Sequence, residues 1–262
     1  MPAVMSADGT TIAYERDGGG PPLVVVDGAL TTRRSGSKPE LIAMLAPTLT
    51  VYTYDRRGRG DSGDTAPYAV AREIEDIEAV IEEAGGAAAL YGHSSGACLA
   101  LDATLALGGK VTKLAMYEAP YDSDPQVRPA WETYLGEMTK ALADGRRGDA
   151  VALFMTYVGT PPEQVDGMRQ LPFWPGLEAI APTLVYDHAG VLGTDQSVPG
   201  RAASVTVPAL VMHGDAGAPF MAETARALRR AIPGAELRTL AGQAHDVSPA
   251  ALAPLLAEFV AR

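Results

Sequence analysis

The chain has 262 residues, enough to bury the core of one α/β domain, and its 32 acidic against 21 basic residues leave a formal net charge of -11. That charge excludes nucleic acid and an anionic membrane surface as main partners, and the single cysteine, Cys98, excludes an internal disulfide or a cysteine-based metal cluster. The opening MPAVMSADGT has no basic region followed by an apolar stretch of about 7–15 residues, and no apolar run approaches about 18, so a soluble, cytoplasmic protein without a membrane partner is expected.

The first elements are strands. TIAYERDG (11–18) alternates as an edge strand does, while PLVVVDG (22–28) and LTVYTYD (49–55) are continuous apolar runs of the kind buried on both faces. Between the last two, Ser37 followed by Glu40 predicts a capping box opening the helix of LIAMLAP. A helix over 70–84, a strand AAALYGH (87–93), a helix over 95–107 and the strand VTKLAMY (111–117) continue the alternation. Strands that alternate with helices and are rich in Val, Leu and Ala specify a mainly parallel sheet covered by helices on both faces.

After Pro120 the rhythm stops. Residues 121–205 carry Trp131, Tyr134, Phe154, Met155, Tyr157, Phe173, Trp174 and Tyr186, with helical stretches over 126–143 and 147–157 and then a section spaced by Gly and Pro. The beat returns with VPALVMHG (207–214), a helix over 219–231, the strand AELRTL (235–240) and a terminal helix ending in LLAEFVAR. The division expected is a core of 1–120 and 206–262 with a helical insertion over 121–205. There is no internal repeat and no low-complexity tract.

The chemistry concentrates in LYGHSSGACLA (90–100). Gly92-His93-Ser94-Ser95-Gly96 matches G-x-S-x-G and stands between a short buried strand and an Ala/Leu-rich helix, where that motif lifts a serine hydroxyl above the sheet. The small residues at 92 and 96 allow the sharp turn, and the amide of Ser95 is aimed at the same point. The alternative is an ordinary Gly-rich turn in which Ser94 caps the helix. A serine nucleophile needs a base, and GQAHD places His245 in the loop between the last strand and the last helix, within reach of the sheet's edge. His93 lies inside the elbow and points into packing or the pocket rim. His213 sits on an apolar strand as a satisfied core residue, and His188, in the insertion, faces either a ligand or solvent. Cys98 reads as a small buried hydrophobe, and Asp55 to Ser62 as a structural turn whose Arg and Asp side chains tie loops together.

The elbow, the Y-D-R-R-G-R-G-D-S stretch (54–62), the V-D-G turn (26–28) and the terminal G-Q-A-H-D together resemble the α/β-hydrolase superfamily over essentially the whole chain. The resemblance implies an α/β-hydrolase fold with a helical cap inserted after the sixth strand of the family's pattern, a triad of Ser, His and an acid, and an oxyanion hole of two backbone amides. Those amides fall here on Ser95 and on the turn of Gly28 and Ala29, where Asp27 replaces the His of many relatives.

In most relatives the acid follows the seventh strand, three residues after a glycine; in MHGDAGAPF that place is Gly217, which has no side chain to orient an imidazole. Asp215 is one alternative. The other is Glu118, which closes the apolar strand of KLAMYEAP and borders the same cavity, so the acid is expected at Glu118 rather than Asp215. Hydrolases with a glutamate after strand six include the lactonases that open the mycotoxin zearalenone, and the S-S-G-A elbow, the D-G turn and the strand ending in Glu then Pro are similar to that group. A structural role for Glu118, capping backbone amides at the entry to the insertion, is the competing reading.

The expected activity is a serine hydrolase cleaving an ester or lactone of a small hydrophobic molecule through an acyl-enzyme on Ser94, with no metal or organic cofactor. His93, Phe154, Met155, Tyr157, Trp174 and Tyr186 are the expected pocket residues. A homodimer is left open. Other readings are another chemistry on the same fold (C–C hydrolysis, perhydrolysis, or a natural-product cyclisation or lysis) and a small-molecule-binding pseudoenzyme. Gly18 to Gly20 lacks the Lys and following helix of a phosphate loop, so nucleotide binding is disfavoured.

Overall fold

The computed structural model describes residues 1–262. The elements run β1 (Ala3–Met5), β2 (Thr11–Gly18), β3 (Pro22–Val26), α1 (Lys38–Leu45), β4 (Thr50–Tyr54), α2 (Val70–Glu83), β5 (Ala88–His93), α3 (Ser95–Leu107) and β6 (Val111–Tyr117). Then come α4 (Arg128–Ala143), α5 (Arg147–Tyr157), α6 (Pro162–Met168), α7 (Trp174–Ile180), β7 (Ala209–Gly214), α8 (Pro219–Ala231), β8 (Glu236–Leu240) and α9 (Pro249–Ala261). The eight strands form one sheet in the order β1-β2-β4-β3-β5-β6-β7-β8, antiparallel at the β1/β2 and β2/β4 pairings and parallel from β4 onward.

Alternation along the parallel strands splits the core between two faces. Val24, Val26, Leu90, Leu114 and Met116 pack with α2, α3 and α8, together with residues of the 121–205 insertion. Their neighbours Leu23, Val25, Ala89, Ala115 and Tyr117 pack with α1 and α9. Both faces are thus dry, which is why these strands read as unbroken apolar runs.

Two local expectations change. TIAYERDG is an edge strand only over residues 14–18, because Ala3, Val4 and Met5 pair with Ala13, Ile12 and Thr11 and cover its start; three residues are too few to show a period in the sequence. Ser37 precedes α1 but makes no side-chain cap, since its φ of -83° and ψ of 9° are not the extended geometry that turns a hydroxyl toward the first amides. Pro39 in the first turn opens that helix instead. The Gly/Pro-spaced part of the insertion folds into α6, α7 and a π-helical stretch, Tyr186–Leu192, packed against α3. No helix is long and apolar enough to cross a membrane.

Candidate active site

Ser94 joins β5 to α3 with φ 58° and ψ -131°, a backbone conformation an L-residue holds only when its surroundings impose it. They do. The Ser94 amide donates to the Tyr117 carbonyl at 3.0 Å, and both flanking glycines are in contact with backbone. A Cβ at Gly92 would lie 2.5 Å from the Ala97 Cα, and one at Gly96 would lie 2.2 Å from the Val26 carbonyl oxygen. Any side chain at either position would push the elbow off the sheet.

Against Ser94 lies the turn after β3. A Cβ at Gly28 would sit 2.9 Å from Ser94 Cβ and 3.4 Å from Ser94 Oγ, so this backbone reaches the hydroxyl only because residue 28 is glycine. The amides of Gly28, Ala29 and Ser95 donate to no protein group. Asp27, where many relatives carry His, pairs through its carboxylate with Lys38 Nζ at 2.6 Å, so it braces the turn from the side.

Glu118 follows β6 with φ 46°, again left-handed, and its amide is bonded to the Met212 carbonyl at 3.0 Å. This kink turns the side chain toward β7, where it is almost wholly buried. Oε1 accepts the Gly214 amide at 3.0 Å, and Oε2 lies 2.8 Å from Nδ1 of His245. A Cβ at Gly217 would be 3.4 Å from Glu118 Oε1, so the carboxylate occupies space beside position 217. Asp215 is exposed and turned to the other side, accepting the Gly242 amide at 2.6 Å.

The loop carrying His245 is anchored by Tyr117, whose hydroxyl donates to the Ala244 carbonyl at 2.6 Å, and by the Ala216 amide donating to Gln243 at 2.9 Å. The His245 side chain is 45% exposed, whereas that of Glu118 is 1% exposed. The ring of His93 meets His245 edge-on with centroids 4.9 Å apart and Tyr117 at 5.5 Å. Burial, reinforced by the neighbouring His245, pushes the His93 imidazole down to about 3, so it is neutral at pH 7. Cys98 is buried, and burial pushes its thiol far above the ordinary range. His213 is buried with Nδ1 against the Gly214 carbonyl and Nε2 against Thr239.

The expected pocket residues separate. Tyr157 and Phe154 join an aromatic group with Trp131, Tyr134 and His188: Tyr134 stacks on Tyr157 at 4.4 Å and His188 lies 5.3 Å from Phe154. Met155 is partly buried against the core. Trp174 and Tyr186 make other contacts. Trp174 bonds Glu178 at 2.9 Å beside Arg169, and Tyr186 stacks on Tyr68 at 3.8 Å and donates to Asp64.

His188 bonds Tyr134 through Nδ1 at 2.9 Å, and burial pushes its imidazole down to about 4. A histidine held below its ordinary value takes up its proton first in the unfolded chain, so stability is present above about 6.5 and is lost as pH falls toward 4. Urea unfolding at pH 7 and pH 4.5 should show His188 contributing about 2 kcal/mol of the fall, so His188→Phe should lose that much less over the interval. Equal losses in the two proteins would contradict this.

Four buried charges lie under the turn after β3, and sequence reasoning singles out only two of them, Arg56 and Arg59. Arg56 forks onto Glu73 at 2.6 and 2.7 Å, and Asp187 of the π-helical stretch accepts from Arg56, Arg59 and, at 2.7 Å, Ser95 Oγ. The Arg-rich Y-D-R-R-G-R-G-D-S stretch signals half of this network. Nothing in the irregular sequence around Asp187 signals the other half.

The chain is similar to known proteins. A family model described as the alpha/beta hydrolase family matches residues 31–256. The crystal structure of an alpha/beta hydrolase from Sphaerobacter thermophilus is 52% identical, with a TM-score of 0.88, over 98% of this chain and 99% of that one. A zearalenone hydrolase from Cladophialophora bantiana is 23% identical over 258 residues, covering 85% of this chain and 96% of its own. An N-acyl homoserine lactone degrading enzyme shares the fold at 23% identity and a TM-score of 0.70, over 98% of this chain and 100% of that one. With a family match over most of its length and the elbow and parallel sheet in place, the chain belongs to the alpha/beta hydrolase family.

Proposed function

We propose that the protein is a serine hydrolase that cleaves an ester or lactone of a small hydrophobic molecule, using Ser94 as nucleophile, His245 as base and Glu118 as the acid that orients the imidazole. The observation that carries this reading is the 2.8 Å contact of Glu118 Oε2 with His245 Nδ1, made by a carboxylate whose other oxygen is fixed on the Gly214 amide. A buried acceptor on Nδ1 favours the tautomer with Nε2 unprotonated, the form that can take a serine proton.

On this reading Ser94 Oγ attacks the carbonyl carbon while its proton passes to His245 Nε2. The tetrahedral oxyanion is met by the amide of Ser95 and those of Gly28 and Ala29, each such donor being worth about 3 kcal/mol of barrier. The C–O bond to the leaving group breaks as the imidazolium gives its proton to the alkoxide. Water then attacks the acyl carbon, losing a proton to His245, and Ser94 Oγ leaves with that proton. On this reading residues 121–205 act as a cap that contributes apolar walls, held together by a buried aromatic core around Tyr134 and Tyr157. The likeness to a zearalenone hydrolase favours a cyclic ester, in which both products of C–O cleavage stay on one molecule.

The empty acid position at Gly217 favours one rival, a protein that binds a small molecule without turning it over. Nitrophenyl butyrate and a lactone panel followed by mass spectrometry separate the two. The wild type should hydrolyse at least one of them and be phosphonylated on Ser94 by a fluorophosphonate, and Ser94→Ala should lose about 10⁶-fold in kcat. Equal rates for wild type and Ser94→Ala would end the hydrolase reading.

A further inference from the structure

Resting on that reading, we infer that Asp187 is a positioning residue for the oxyanion site: one buried carboxylate from the 121–205 insertion that holds both halves of the site in register. The first half is reached directly. Asp187 Oδ1 accepts the Ser95 hydroxyl at 2.7 Å, and the Ser95 backbone amide is the donor that follows the nucleophile. The second half is reached through two guanidinium groups. Arg56 Nη1 donates both to Asp187 Oδ1 at 2.5 Å and to the Asp27 carbonyl at 3.0 Å. Arg59 donates to Asp187 Oδ2 through Nη2 and to the Gly28 carbonyl through Nη1.

Peptide planarity makes these bonds informative. In a trans peptide the carbonyl and the following N–H point in opposite directions. Holding the Asp27 carbonyl on Arg56 therefore directs the Gly28 N–H away from that guanidinium, and holding the Gly28 carbonyl on Arg59 does the same for the Ala29 N–H. These are the amides that donate to no protein group. The guanidinium groups are themselves fixed, Arg56 by the fork onto Glu73 and both by Asp187. Arg56, Arg59, Glu73 and Asp187 are all almost fully buried, and their formal charges cancel. Burial alone would raise the Asp187 carboxyl, but the two guanidinium groups outweigh it and hold it at about 2, so the acceptor is ionised at any working pH.

A donor set that must not rearrange as charge develops is the condition for electrostatic stabilisation of a transition state. The insertion thereby reaches the chemistry without touching the substrate's reacting atoms. The nearest alternative, that the network only holds the 121–205 segment onto the core, predicts loss of stability without selective loss of transition-state binding.

The test compares wild type, Asp187→Asn and Ser95→Ala. Nitrophenyl butyrate supplies kcat and KM, a trifluoromethyl ketone serves as the tetrahedral-adduct probe, butyrate serves as the ground-state probe, and thermal unfolding reports the fold. Asp187→Asn should lower kcat about 10²-fold with KM within about threefold, and weaken the trifluoromethyl ketone by a matching factor while leaving butyrate unmoved. Ser95→Ala, which removes one hydroxyl without unbalancing charge, should lose about tenfold in the same pattern and decides alone if Asp187→Asn does not fold. Unchanged trifluoromethyl ketone affinity in a folded variant overturns the role of Asp187 while the hydrolase reading stands. A wild type that neither hydrolyses the ester nor reacts with fluorophosphonate at Ser94 overturns both.

Discussion

Glu118→Gln should lower kcat by about 10³–10⁴-fold at neutral pH, with KM changed only a few-fold, because the amide can present its NH₂ to His245 Nδ1 and so favour the wrong tautomer. The side chain keeps its volume in a site that is 1% exposed, and the Gly214 amide keeps a carbonyl acceptor, so the fold should survive. Asp215→Asn is the matched control. Its carboxylate is exposed and engaged with the Gly242 amide, so that variant should stay within a few-fold of wild type. The reverse ranking would return the acid to the family's more usual strand. A second-site variant sharpens the test: a Cβ at Gly217 would stand 3.4 Å from Glu118 Oε1 and 3.8 Å from the His245 amide. Since Gly217 does not need a left-handed backbone, Gly217→Asp combined with Glu118→Gln should recover at least tenfold of the lost kcat.

The second large effect is at Gly28. A methyl group there would lie 2.9 Å from Ser94 Cβ and 3.1 Å from the His93 carbonyl oxygen, contacts that real Cβ atoms scarcely tolerate. The turn or the elbow must move, and a shift of a few tenths of an ångström suffices to misdirect an amide donor. Gly28→Ala should therefore cost about 10²–10³-fold in kcat, the value of one oxyanion donor, with little change in KM. Gly109→Ala is the control, since nothing lies within 4 Å of a Cβ at Gly109. A Gly28→Ala enzyme with wild-type kcat would mean that this turn does not serve the oxyanion.

How much was legible in the chain follows from where physics acts locally. Strands buried on both faces have no polar alternation to disguise them, so β3 to β7 read as runs. The contact of Glu118 with His245 was legible because a carboxylate ending an apolar strand needs a partner, and because the place where the family resemblance puts an acid is Gly217, which has no side chain. The unreadable parts depend on distant segments. Asp187 lies 131 residues from Arg56, in a stretch whose helix period is broken by a π-helical turn. Tyr186 donates to Asp64, 122 residues away in the chain. Aromatic identity sets the size of a side chain but not the direction it faces.

One asymmetry between the two partners in the Glu118–His245 pair bears on what the enzyme prefers. The carboxylate is sealed inside the sheet's rim while much of the imidazole faces bulk solvent. In the proposed mechanism the imidazole works half in water, so the bound molecule must act as the missing wall. In that mechanism broad apolar guests shut competing water away from the imidazole better than slight, hydrophilic ones do.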